Sequence, residues 1–215
     1  MKIIMSTLSM AGGLFFGFFG FLYLVWRRLK EDYSSHEIFS LAFLTITFAI
    51  VGYFLGLVFS SRLVRTGIFN PREIWFWLSV VFGLTGFIFS IYKFKMRFYE
   101  SFEAVVKGFL FFLMAIFIFN ALLNSNLVLL VFGTFLGILV YSFRLVDSRY
   151  KSFTWYKSGK VGFSGLAISG VFFLVRTIIA LIFPNTLSFI GSVDAILSAI
   201  ATFLSFVALY NLSGR

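Results

Sequence analysis

The chain has 215 residues, 60% of them hydrophobic and only 12% charged, with a mean hydropathy of +1.02. No soluble domain of this length can bury so much apolar surface, so a water-soluble globule is excluded and lipid is the solvent for most of the chain. The formal charge of +10 could suit nucleic acid, but the basic residues sit at the ends of apolar runs rather than in a tract, which marks membrane topology and no nucleic-acid partner.

Seven runs are long enough to cross a bilayer, near 7–26, 38–60, 74–92, 104–123, 127–146, 161–183 and 193–211. They predict an all-α polytopic membrane protein in one domain, with no separate soluble unit. The first run has only Lys2 before it, no small-residue cleavage site after it, and ends in Trp26-Arg27-Arg28. That pattern predicts a retained first helix rather than a signal peptide. Between the first two runs, "EDYSSHEIF" carries His36 beside Glu37, a surface histidine with no second histidine to build a metal site.

The third run opens on "NPREIW", where Asn70 can cap, Pro71 suits the first helical position and Glu73 can return to the cap. Trp75 and Trp77 follow at a depth that amphipathic rings favour. Lys107 falls in the first turn of the fourth run and snorkels toward the near surface. That run ends "FIFNALLNSN", with Asn120 and Asn124 four residues apart and so on one helix face. Interhelical hydrogen bonding explains this pair without a function; a polar cluster gives it one.

The basic residues orient the chain. Arg27, Arg28, Lys30, Lys93, Lys95, Arg97, Arg144, Arg149, Lys151, Lys157, Lys160 and Arg215 fall on one side. Lys2, Arg62, Arg65 and Arg72 fall on the other. The excess predicts the N-terminus outside and the C-terminus inside. Small residues recur four apart at Gly13/Gly17, Gly52/Gly56, Gly133/Gly137 and Ala195/Ala199, which predicts close helix packing at each pair.

The sixth run, "GVFFLVRTIIALIF", contains Arg176. It lies about 10 Å below the outer end of its helix, at about 1.5 Å per residue. A charge at that depth either snorkels outward or faces a polar cavity, where its planar fork can hold an anion such as a lipid phosphate. Asn120 and Asn124 fall at about the same depth by this count, and Tyr53 on the second run can join them. Glu73, Glu100, Glu103 and Asp194 all fall at or beyond span ends, which speaks against a proton-coupled transporter. With no cysteine, thiolate metal sites and cysteine nucleophiles are excluded. Phosphate-cradling glycine loops and nucleophile elbows are absent, and the residues call for no metal and no cofactor.

The order of these features resembles the prolipoprotein diacylglyceryl transferases of bacterial inner membranes. The similar fragments are "RRLKEDYSSHEIFSLAFLTITFAIVGYFLG", "NPREIW" and "YKSGKVGFSGLAISGVFFLVRTII". The resemblance implies transfer of diacylglycerol from phosphatidylglycerol to the cysteine thiol of a prolipoprotein signal segment, at the outer leaflet. It also implies that Arg176 stands for the family's late arginine and Asn124 for the last asparagine of its signature. On this reading Arg176 and Asn124 are the catalytic candidates. Arg176, Asn120, Asn124 and Tyr53 form the phospholipid-binding set. Departures are plain: Ile118 and Ala121 replace the arginine and first asparagine of the signature, Val81 and Phe82 a histidine and glycine, Phe54 an arginine and Ala180 a glutamate. The short connections at 124–126 and 184–192 imply reduced periplasmic elements. The alternatives are a catalytically degenerate lipid- or partner-binding protein of the same fold (a pseudoenzyme) and a small transporter or scramblase.

Overall fold

The computed structural model describes residues 2–63, 71–149, 161–182 and 192–213, with side chains described from residue 11 onward, save at 60–73, 150–160, 183–192 and 214–215. Among the described residues all regular structure is helical: α1 Lys2–Leu29, α2 Ser35–Leu63, α3 Pro71–Phe94, α4 Phe98–Asn124, α5 Leu127–Arg149, α6 Phe163–Ile182 and α7 Ser192–Ser213. Six described stretches, from α2 through α7, are long and apolar enough to cross a membrane. The chain is a helical multi-pass membrane protein. Most helices outrun the apolar runs that announced them. Intrahelical hydrogen bonds continue into polar sequence, whereas apolar length reports only the hydrocarbon zone.

Two helix starts carry caps the residues explain. Ser34 and Glu37 form a capping box before α2: the Ser34 backbone N–H donates to Glu37 Oε2 at 2.9 Å, and the Glu37 N–H to Ser34 Oγ at 3.4 Å. Asn126 accepts from the Val128 N–H at 3.1 Å and opens α5. The box expected at Asn70–Glu73 lies outside the described side chains, although α3 does begin at Pro71. His36 is exposed in the first turn of α2.

Small residues set the packing. A Cβ on Gly13 would stand 2.8 Å from Ile116 Cα, and one on Gly17 2.8 Å from the Phe112 ring, so α1 runs antiparallel along α4 with backbones nearly touching. Gly52 meets Leu78 and Gly56 meets Trp75, which makes α2–α3 a second antiparallel seam, and Gly133 and Gly137 place α5 on Ile118 and Met114 of α4. The fourth predicted pair is displaced. Ala195 is buried but Ala199 is exposed, because α7 turns Asp194, Ser198 and Thr202 inward instead. Gly165 of α6 rests on Glu103 and Gly162, just before the helix, on Tyr99, so α6 runs parallel to α4.

α4 therefore sits centrally, against α1, α5 and α6. One core joins α1, α2, α3 and α4 around Val25, Leu41, Phe87 and Ala104. A second joins α4, α5 and α6 around Leu110, Leu136, Phe143 and Phe172. Outward, large apolar side chains lie open, among them Phe15, Phe54, Val131, Leu181 and Phe203. A soluble protein could not carry such a surface; acyl chains cover it at no cost.

Chain direction alternates along the bundle, so the C-termini of α1, α3 and α5 share one end with the N-termini of α4 and α6. Arg27, Arg28, Lys93, Lys107, Arg144 and Arg149 gather at this basic end. Arg28 donates from Nε to Glu103 Oε1 at 2.8 Å, which neutralises a carboxylate only 2% exposed. At the opposite end lie the C-terminus of α6 and the N-terminus of α7.

Candidate functional site: a buried arginine–aspartate pair

Arg176 belongs to the buried stripe of α6, with Ser169 and Phe172 below it and Ala180 above. Successive turns of a helix superpose residues three and four apart, so the arginine faces inward with this set. It is 1% exposed, the largest fully buried side chain described. Snorkelling to lipid is thereby ruled out.

What holds the charge inside is Asp194, the third residue of α7, which is 0% exposed. Arg176 Nε donates to Oδ2 at 2.8 Å and to Oδ1 at 3.1 Å, and Nη2 donates to Oδ1 at 2.8 Å. Trp77 of α3 adds its indole N–H to Oδ1 at 2.6 Å. Three helices thus meet on one carboxylate. The position also suits the acid, since the first turn of α7 presents backbone N–H groups and the positive end of the helix dipole.

Aromatic rings enclose the pair. The guanidinium carbon lies 3.7 Å from the Phe76 ring centroid, and Trp77 stacks on Phe173 at 5.9 Å. A weakly hydrated guanidinium on an aromatic face is well accommodated once desolvated. Trp77 is more than an interfacial ring, because its N–H completes the aspartate. Trp77→Phe keeps the ring and removes that donor. It is expected to destabilise the folded protein by about 1.5–3 kcal/mol, the range for a hydrogen bond to a charged group, read as a lower thermal midpoint in detergent.

The other expected site residues stand apart from this pair. Asn124 donates to Asn120, so the two do share a face, but Asn124 is exposed and neither bonds to Arg176. The parallel register of α6 on α4 explains the separation: Gly165 opposite Glu103 puts Arg176 level with about Met114. Asn120 and Asn124 are then roughly 9 and 15 Å nearer the end of the bundle, at about 1.5 Å per residue. Tyr53 meets Trp75 edge-on at 5.4 Å and makes no hydrogen bond to the pair.

Asp194 and Trp77 are the residues that sequence reasoning missed. Asp194 stands at a span edge, the second residue of the apolar stretch Val193–Ser213, but there it is buried against α3 and α6 rather than turned to water. Glu103 is likewise buried within Phe98–Asn124. Both acids are held by arginine, which is the arrangement of a structural ion pair rather than an open proton site. A usable signal was present: an arginine toward the C-terminal end of α6 needs an anion from the same end of the bundle, and Asp194 heads the next helix.

Chemically, the fork of Arg176 is satisfied by two oxygens of one anionic group. A carboxylate does this here, and a phosphodiester offers the same pair. The chain matches no known family model, no curated protein and no solved structure.

Proposed function

We propose that this chain is a bacterial inner-membrane protein that crosses seven times, N-terminus outside and C-terminus inside. In this reading it engages a phosphatidylglycerol-like phospholipid through Arg176, on the plan of the prolipoprotein diacylglyceryl transferases. One observation carries the reading: a fully buried arginine whose fork is presented to a two-oxygen anion. A phosphodiester that displaces Asp194 would meet the same two donors. In the transfer reaction the thiol sulfur of the signal segment bonds to the glycerol carbon. The carbon–oxygen bond to phosphate breaks, the glycerol phosphate departs and the thiol proton leaves with it or with a base. Arg176 stabilises the charge that grows on the departing phosphate.

A second reading, lipid binding without turnover, is favoured by the pairing itself. Ala180, one turn beyond Arg176, leaves no acid on α6, and Asp194 supplies the counter-charge from another helix. Ala121 is buried in the place of a polar signature residue, and Asn124 turns away from the arginine.

Reconstituted protein, phosphatidylglycerol and a lipobox peptide separate these readings, with the peptide mass and the co-purifying lipid both measured. Peptide gaining a diacylglyceryl group, lost in Arg176→Ala, supports the transferase. No gain, with phosphatidylglycerol retained by the parent and lost in Arg176→Ala, supports binding alone. Neither turnover nor Arg176-dependent lipid retention sinks both.

A further inference from the structure

At the basic end, far from Arg176, the last turn of α1, the first third of α4 and the last turns of α5 enclose a cavity of about 540 Å³. Arg27 and Arg28 enter it from α1, Lys107 from α4 and Arg144 from α5, with Asp147 and the apolar side of Leu24 completing the wall. Four cations therefore face a single lining carboxylate. Behind them Glu103 takes Arg28 at 2.8 Å, and Asp147 accepts from Ser164 Oγ at 3.3 Å. Arg27, Lys107 and Arg144 form no ion pair among the described residues. Positive charge thus exceeds negative even after both acids are counted.

Like charges held together around a hollow repel, and no packing requirement places three unpaired cations on one cavity. Lys107 is half-buried, its ammonium 5.7 Å from the Phe143 ring, ten residues into α4. Arg27 and Arg144 are exposed and Lys107 reaches the same hollow from its wall, so an anion bound there would meet all three unpaired cations.

We infer that this cavity binds a phosphate group, in the membrane the headgroup of an anionic phospholipid from the leaflet at the basic end. Three features favour a lipid source over free phosphate. The cavity opens at headgroup depth, marked by Trp26 under Lys30 at 5.2 Å and by Tyr23 beside Arg27. Tyr23, Tyr141 and Leu145 lie exposed on the flanking helices, where acyl chains can run. Basic pockets between membrane helices hold anionic headgroups through this combination of charge and adjacent apolar surface. The site is independent of Arg176 and stands whether or not the preceding reading holds.

The test uses the full chain reconstituted in nanodiscs of phosphatidylcholine mixed with phosphatidylglycerol or cardiolipin, with lipids that survive detergent extraction counted by mass spectrometry. Lys107→Gln with Arg144→Gln removes two unpaired charges; Lys93→Gln with Lys95→Gln removes two at the same end outside the cavity. Each cavity charge is expected to contribute about fivefold, so the first double variant should lose roughly twenty- to thirtyfold in preference for anionic lipid. The second should keep it. A parallel arm titrates inorganic phosphate into lipid-depleted protein and follows thermal stability. A phosphate-dependent rise lost only in the cavity variant, with no lipid preference, assigns the same site to free phosphate. Equal lipid preference in both variants, with no phosphate-dependent rise in the parent, overturns the proposal.

Discussion

Asp194→Ala is expected to destabilise the folded chain by about 3–5 kcal/mol, because it removes the carboxylate with which a buried guanidinium is paired. Arg176 is 1% exposed and makes three donor contacts to that one carboxylate. The informative comparison is the double variant Arg176→Met, Asp194→Ala. Replacing both members of a buried pair by apolar groups is often neutral or stabilising, since two desolvation costs vanish with the attraction. Thermal midpoints of the parent, both single variants and the double, in one detergent, give the coupling between the two residues. A double variant as unstable as Asp194→Ala would show that the aspartate serves Trp77 and the α7 terminus rather than the arginine. Any lipid-dependent activity should disappear in the double variant even where stability returns, which separates holding the bundle together from holding a ligand.

The second large effect is expected in the α2–α3 seam. A Cβ on Gly52 would stand 2.4 Å from the Leu78 carbonyl oxygen and 2.8 Å from its carbon, and one on Gly56 2.4 Å from Trp75 Cα. These neighbours are main-chain atoms, which cannot swing aside as a side chain can. Gly52→Leu must therefore push the two helices apart and strain the hydrogen bond from Ser79 Oγ to the Ala49 carbonyl, 3.0 Å long. The cost should reach the upper end of the overpacking range, about 3 kcal/mol. Gly137→Ala is the contrasting case. Its Cβ would meet only the Met114 sulfur, at 3.2 Å, and a thioether on three rotatable bonds can give way. Melting curves of the two variants should differ widely; a similar loss in both would mean the seams are not packed as tightly as the backbone distances state.

Much of the fold was legible because lipid imposes strict rules. Apolar length located the helices, since a span must satisfy its own backbone groups over the hydrocarbon thickness. Glycines four apart located three of the seams, because only they let backbones touch. The Ser34–Glu37 box carries its own signature in "EDYSSHEIF", serine followed three residues later by glutamate. The site was less legible. Arg176 declared itself by contrast with its surroundings, but its partner did not. Asp194 stands where a helix meets the membrane surface, and a sequence cannot say whether such an acid looks out to water or inward to a neighbour. The depth given to Asn120 and Asn124 failed for a related reason. Counting from each helix end assumes level ends, whereas the contact of Gly165 with Glu103 sets the register of α6 on α4.

The pairing of α6 with α7 also fixes an order of events in the making of the protein. Arg176 precedes Asp194 by 18 residues, so a ribosome exposes the cation before its counter-charge exists. At about 5–20 residues per second the delay is roughly one to four seconds. During it, α6 must either enter the bilayer with a naked charge, at about 2.5–3.5 kcal/mol against the insertion of its apolar residues, or wait beside the insertion machinery. Waiting lets α6 and α7 enter as a hairpin already neutralised. The last two helices would then form one insertion unit, and a chain truncated before Asp194 should leave α6 poorly inserted although its apolar sequence is intact.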